Sequence, residues 1–348
     1  MVGRRREREP VDVITIDNEP SQANRLEAAL EERRHDLGLP EIVLDLSGLE
    51  PLPPHVPRSL SIFRFPHRNA DAYLRDAQLD GTDFTKTEVG RTIFDATADQ
   101  ADALMEWCPQ ALLYGFWQSH LGKKGSQAKL ARSWVSEIIG IAPAMIGQDG
   151  FELTEGIKGD PLNLVKEGSP IDFDPNDVRR WEPVEPKAKS TYGKIEDLAE
   201  IGHGQVPVSD DNRALAGVSF REVVQQSSVS FASLRRIDTT EGRAEARALL
   251  VGLGLLAHTL AFGRSFNLRS GCDLRPRKTT WTWLGASRDE SVDPLNPDEA
   301  TILFRDLVES AQEAKVPVGN RWPEPLELAP KANLEKVIRN TFPEPEAD

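Results

Sequence analysis

The run from Ala248 to Gly263 holds 16 residues without a formal charge, broken only by His258 and Thr259. It is too short and too polar to span a bilayer, which needs about 20 apolar residues. It reads instead as the middle of a buried helix from Arg243 to Phe262, and the rest of the chain must supply its cover. With 348 residues there is enough chain for one large domain or two ordinary ones. At 39% hydrophobic and 28% charged, the composition is that of a soluble globular protein and excludes a transporter. The basic start MVGRRRERE is followed by VDVITI rather than by an apolar leader core, so no secretory signal is expected. Cys108 and Cys272 lie far apart with no ligand spacing. They read as core residues of a protein in the reducing cytoplasm, with no structural zinc.

Around the long helix the pattern is mixed. Val11 to Ile16 alternates as a strand, and after the DNEP turn a helix carries Ala23, Leu26, Ala29 and Leu30 on one face. Glu41 to Leu46 reads as a second strand, followed by a loop with Pro51, Pro53, Pro54 and Pro57. Helical patterns follow near Pro66 to Leu79 and Ala98 to Cys108, then an apolar run at Ala111 to Trp117 suited to a buried strand. Residues 147–204 turn acidic and rich in Gly and Pro, which predicts an insertion or extended arm. Beyond it, Ala216 to Gln226 and Ser228 to Ile237 predict two adjacent strands, and Lys278 to Leu284 another. Pro297 to Lys315 and Lys331 to Asn340 predict two more helices. This order fits a ferredoxin-like α+β core built from residues 1–146 and 205–348 and interrupted by the arm.

The net charge is −14, but it is segregated. Asp149 to Glu185 holds ten acidic and four basic residues, and Ala286 to Asp348 fourteen and seven. By contrast, Leu121 to Ser136 carries Lys123, Lys124, Lys129 and Arg132 with no acid. Arg264 to Thr280 carries Arg264, Arg269, Arg275, Arg277 and Lys278 against Asp273 alone. These two stretches either bind a polyanion or are solvated faces that pair with the acidic segments.

Standard catalytic patterns are missing: no phosphate loop, HExxH, GxSxG or EF-hand loop occurs. A GxGxxA match at Gly252, Gly254 and Ala257 lies inside the apolar helix and points to close helix packing rather than to a dinucleotide. Asp172 and Asp174 have no defined partner and read as solvated loop carboxylates, and the six histidines show no ligand spacing. The expectation is a protein without catalytic residues, metal or cofactor. In the opening helix, Ser21, Asn24 and Arg25 share a face opposite Leu26 and Leu30. Near the helix start they either join free N–H groups in holding a phosphate or belong to a surface helix capped by Asn18 or Ser21. Arg68 and Arg75 also share a helical face, with Asp71 between them as an intrahelical partner. Gly122 to Gly140 interleaves its cations with Trp134, as a backbone-tracking groove would, and its spacing fits either helix or strand. Trp134 is the kind of residue more often found in a core.

Taken together, ITIDNEPSQANRLEAAL (Ile14 to Leu30), PHRNADAYLRD (Pro66 to Asp76), ALLYGFWQS (Ala111 to Ser119), KLARSWVSEIIG (Lys129 to Gly140) and SFASLRRI (Ser230 to Ile237) resemble one family. It is the Cas-seven-like backbone subunit of type I-G (formerly I-U) CRISPR Cascade complexes, within the RAMP superfamily. The resemblance implies a modified RNA-recognition-motif core with palm, finger and thumb, the arm at 147–204 being the candidate thumb. It further implies copies that assemble head to tail along a CRISPR RNA, meet other Cascade subunits, and present the guide to target DNA, with no membrane involved. Ser21, Gln22, Asn24, Arg25, His67, Arg68, Lys129, Arg132 and Ser133 are then expected to contact guide RNA or support its groove. Lys123, Lys124, Arg269 and Arg275 are added on local charge. The aromatic signatures of ordinary RNA-recognition motifs are not apparent, which suits backbone-dominated binding. Two alternatives are a metal-dependent RAMP endoribonuclease using Asp172 or Asp174, and an acidic protein-interaction domain without RNA.

Overall fold

A computed structural model describes residues 12–118, 129–146, 217–318 and 325–342, together with the short strands Ile171–Asp172, Glu182–Pro183 and Lys194–Ile195. Most of the predicted arm, with Asp174, Lys123 and Lys124, lies outside the described residues. By contacts the chain divides into two compact units. One comprises Met1–Ile14 and Gly140–Val223, the other Thr15–Ile139 and Val224–Asp348. In the first, Ala142 N–H donates to the Asp12 carbonyl at 2.9 Å and Gly140 lies directly under the ring of Phe220. The second holds the main hydrophobic core and the side chains of the candidate site.

The architecture is α+β, as expected. Three strands, Val13–Asp17, Trp134–Ile146 and Gly217–Val229, form a sheet with Trp134–Ile146 in the middle. A separate sheet has the order Ser59–Ser61, Ile42–Asp45, Leu326–Pro330, Ala77–Leu79, Thr82–Asp83. There Leu326–Pro330 pairs in parallel with Ile42–Asp45 and antiparallel with Ala77–Leu79, so a late segment closes the sheet begun by early ones.

The long helix runs Arg243–Phe262 as predicted, with Leu249, Leu250, Leu253, Leu256 and Ala257 buried. The charge-free run alone reads as too short to span a bilayer, but the whole 20-residue helix is long and apolar enough to cross a membrane by length and composition. Here its apolar sides are covered by the opening helix, Glu19–Leu37, and by the helix Pro297–Glu313. Its glycines explain the close approach: a Cβ on Gly252 would meet Leu307 Cδ1 at 2.4 Å, and one on Gly254 would meet Trp134 Cε3 at 2.3 Å. Trp134 is accordingly a core residue, 1% exposed, in a strand that settles the open choice of helix or strand over Trp134 to Gly140.

Other expectations need correction. The two strands predicted over Ala216 to Ile237 are one strand, Gly217–Val229, followed by a short helix, Phe231–Leu234. Ser230 starts that helix by accepting from Ser233 N–H at 3.1 Å. Ala111 to Trp117 is mostly helix, Pro109–Tyr114, because Pro109 suits a first turn and Gly115 at φ 77° ends it. Pro66 to Leu79 holds a 3-10 turn at Arg68–Ala70, the short helix Ala72–Arg75 and then a strand, Asp71 capping the helix through Tyr73 N–H at 3.0 Å. Lys278 to Leu284 narrows to a strand at Trp281–Leu284. Cys272 is half-buried on a strand, unlike the fully buried Cys108, whose thiol burial pushes far above its ordinary range.

Candidate nucleic-acid interface

The opening helix shows how its sequence divides between capping, core and surface. Asn18 is the cap, its Oδ1 accepting from Ser21 N–H at 3.1 Å. Ser21 is half-buried and Asn24 exposed. Gln22 turns inward: its amide N–H donates to Asp17, and its Oε1 accepts from Ser136 Oγ and Gln225 Nε2, each at 2.8 Å. Because Gln22 is buried, it supports the sheet behind the helix and offers nothing to a ligand in solution. Arg25 is also engaged, through Nε to Asp17 Oδ2 at 3.0 Å and through its other nitrogens to the carbonyls of Asn267 and Leu268.

Those carbonyls belong to a hairpin of Phe266–Arg269 and Cys272–Leu274, turned at Gly271 with φ 76°. Its residues alternate. Phe266, Leu268, Cys272 and Leu274 are half-buried, whereas Asn267, Arg269, Asp273 and Arg275 are exposed. Asn267 Nδ2 donates to Asp273 Oδ1 at 2.8 Å, occupying the acid nearest the cations. Among the described residues Arg269 and Arg275 have no ion-pair partner, nor do Arg264, Arg277 and Lys278, which flank the hairpin and are exposed. These last three belong to the basic stretch without being among the expected site residues, and their exposure puts them on the same footing.

The second basic stretch is less open. Lys129 is exposed, with Nζ 5.7 Å from the ring centroid of Trp117, an exposed aromatic directly paired with it across a short two-stranded ladder. Arg132 sits 3.7 Å from Glu19 at the start of the opening helix. Ser133 is buried and its N–H donates to the Leu113 carbonyl at 2.8 Å. Exposed Arg235 and Arg236, and the rings of Phe231 and Trp283, tilted at 44° with centroids 4.7 Å apart, carry no site signal in the sequence. Phe231, Arg235 and Arg236 lie in the SFASLRRI run, and Trp283 in the predicted strand Lys278 to Leu284.

Arg68 is not a surface cation. It is 7% exposed, at φ 53°, and grips Glu27 with both ends of its fork at 2.7 Å while donating to the Gly115 carbonyl at 3.0 Å. Burial pushes the Glu27 carboxyl up, and the adjacent guanidinium opposes that rise. The expected pairing of Arg68 and Arg75 around Asp71 is replaced by this contact and by an Arg75–Asp76 pair at 2.5 Å. His67 is exposed, and its backbone N–H donates to Asp71 at 3.0 Å. Among the described residues no group of three or more Asp, Glu, His or Cys side chains is placed to hold a metal.

The geometry therefore offers a hairpin with cations on one face and an apolar anchor on the other, beside the opening helix. Residues 2–143, which include the opening strand and helix, match the family described as CRISPR-associated protein GSU0053. That match is a similarity to a CRISPR-associated family over less than half of the chain. No curated protein matches the chain. The match covers Ser21 to Ser133 of the sites named above and stops short of the hairpin, whose reading rests on its own residues.

Proposed function

We propose that this chain is a non-catalytic backbone subunit of a CRISPR effector complex, holding the phosphate backbone of a CRISPR RNA in the cytoplasm. The observation that carries the reading is Arg269 and Arg275, exposed and without an ion-pair partner among the described residues, on one face of a hairpin, in a chain part of which matches a CRISPR-associated family. Phosphate contacts fix register without reading sequence, which leaves the bases to pair with target DNA. The three-stranded sheet with its opening strand and helix supplies the elements a modified RNA-recognition motif would use. In this reading copies associate head to tail, acidic surface meeting basic surface, and other Cascade subunits complete the particle.

Coexpression with a CRISPR array tests the reading. The expected product is a nucleoprotein larger than a monomer containing discrete guide-length RNA. Purified RNA-free monomer, in the presence of the remaining effector subunits, would overturn it. Incubation of labelled guide and target RNA with Mg²⁺ or Mn²⁺ is expected to leave both intact; cleavage lost in Asp172→Ala would assign a nuclease instead.

A further inference from the structure

The hairpin of Phe266–Arg269 and Cys272–Leu274 has strands of four and three residues. A two-stranded pair so short does not hold its shape alone in water. Two contacts seat it. On its half-buried side Phe266 meets Phe262, at the end of the long helix, edge to face with centroids 4.9 Å apart. From the opening helix, Arg25 donates at 3.1 Å to the Asn267 carbonyl and at 3.0 Å to the Leu268 carbonyl.

The position of those carbonyls matters. The register of the hairpin slips between Asn267 and Arg269. A bulge of this kind disrupts the ladder locally and leaves backbone groups to find other partners. Arg25 bonds the chain at that slip. Its third bond, Nε to Asp17 Oδ2 at 3.0 Å, anchors the guanidinium at the other end. Asp17 is 7% exposed and also accepts from Gln22, whose carbonyl oxygen takes Ser136 and Gln225. The anchor is thus tied to all three strands of the sheet, through Asp17, Ser136 and Gln225. Each nitrogen of the fork already donates to an oxygen of this protein, and the planar spacing that lets one side chain reach three acceptors is particular to arginine.

We infer that Arg25 is a positioning residue, coupling the sheet to the bulge of the basic hairpin and thereby fixing where Arg269 and Arg275 stand. Its effect on RNA rests on the function proposed above; the seating of the hairpin does not. In sequence Arg25 and the hairpin cations look alike, as members of one set of phosphate contacts. In the structure they form a support and what it supports.

The test uses the full-length protein, a fluorescein-labelled single-stranded RNA and hydrogen exchange. Arg25→Ala and Arg25→Lys are compared with wild type, and Arg25→Ala is repeated in an Arg269→Ala/Arg275→Ala background. Arg25→Ala is expected to speed exchange at residues 266–274 while residues 249–257 of the long helix stay protected. RNA binding should weaken about tenfold, with Arg25→Lys failing to restore it, because charge is kept but the fork is lost. Where Arg269 and Arg275 are already absent, Arg25→Ala should add less than about twofold, since residues acting through one another are not additive. Full additivity with unchanged exchange would overturn the inference and make Arg25 a direct phosphate contact. If wild type binds no RNA, the function proposed above fails; unchanged exchange in both Arg25 variants would then overturn the seating as well, and faster exchange at 266–274 would uphold it.

Discussion

Arg68 and Arg275 carry the same guanidinium, yet one lies in the interior against Glu27 and the other stands on an exposed hairpin face with no ion pair among the described residues. The difference teaches that a charge count along a chain measures two unlike things. A buried arginine neutralises a carboxylate that could not otherwise be kept ionised there, and removing it exposes the cost of that burial. An exposed one contributes little to folding and is available to a polyanion.

Four experiments break or sharpen this contrast. Arg68→Ala should have the largest effect, a loss of about 3–5 kcal/mol in urea unfolding, because Glu27 is left buried without its partner. The double change Glu27→Leu/Arg68→Met should recover most of it. A loss confined to RNA binding, with stability intact, would erase the distinction between the two arginines.

A second interior group tests the same principle by pH. His258 is wedged among Trp134, Trp281 and Phe262, and burial pulls its pKa down to about 4. The unfolded chain takes up a proton that the folded state refuses, so stability falls as pH drops from about 6.5 towards 4, by up to about 3 kcal/mol. His258→Phe should flatten that part of the profile, as read by thermal unfolding across the range; an unchanged slope would show that another group carries it.

Packing supplies the next step down. Gly254→Ala would drive a methyl group into Trp134 and should cost about 1–3 kcal/mol in urea unfolding. A neutral result would mean that Trp134 yields easily. At the exposed end, Arg275→Ala should change stability by less than about 0.5 kcal/mol. It should lower the slope of log affinity against log salt by about one unit for every guide sequence alike. A stability loss as large as that of Arg68→Ala would put Arg275 in the same class as the interior residue.

What was legible in the sequence follows the same division between local and distant causes. The long helix was readable to its ends because sixteen charge-free residues leave few other ways to be buried. The opening strand and helix were readable from alternation followed by a 3.6-residue stripe and a polar cap. The segment at Pro109–Tyr114 was misread because a short apolar run has no period, and the deciding signals were its flanking Pro109 and Gly115. The partner of Arg68 could not be read at all. Glu27 lies 41 positions away on another element, and only the fold brings the two together. Likewise the carbonyls that engage Arg25 lie more than 240 positions along the chain, and backbone acceptors have no signature in a residue alphabet.

The two glycines of the long helix have a consequence for how such a chain can change length. Gly252 faces Leu307 and Gly254 faces Trp134, so two sides of one helical turn are indexed to two different layers. One residue inserted before Gly252 rotates everything after it by about 100°, presenting side chains where each neighbour requires a gap. Four residues restore the angle to within about 40° but advance the notches by about 6 Å past the partners they serve. The helix therefore behaves as a keyed shaft: its sequence can drift on the outer surface, while its length between the two notches and their partners is fixed. Insertions are accommodated at its ends, beyond Gly242 and Gly263, where the backbone has already left the helix.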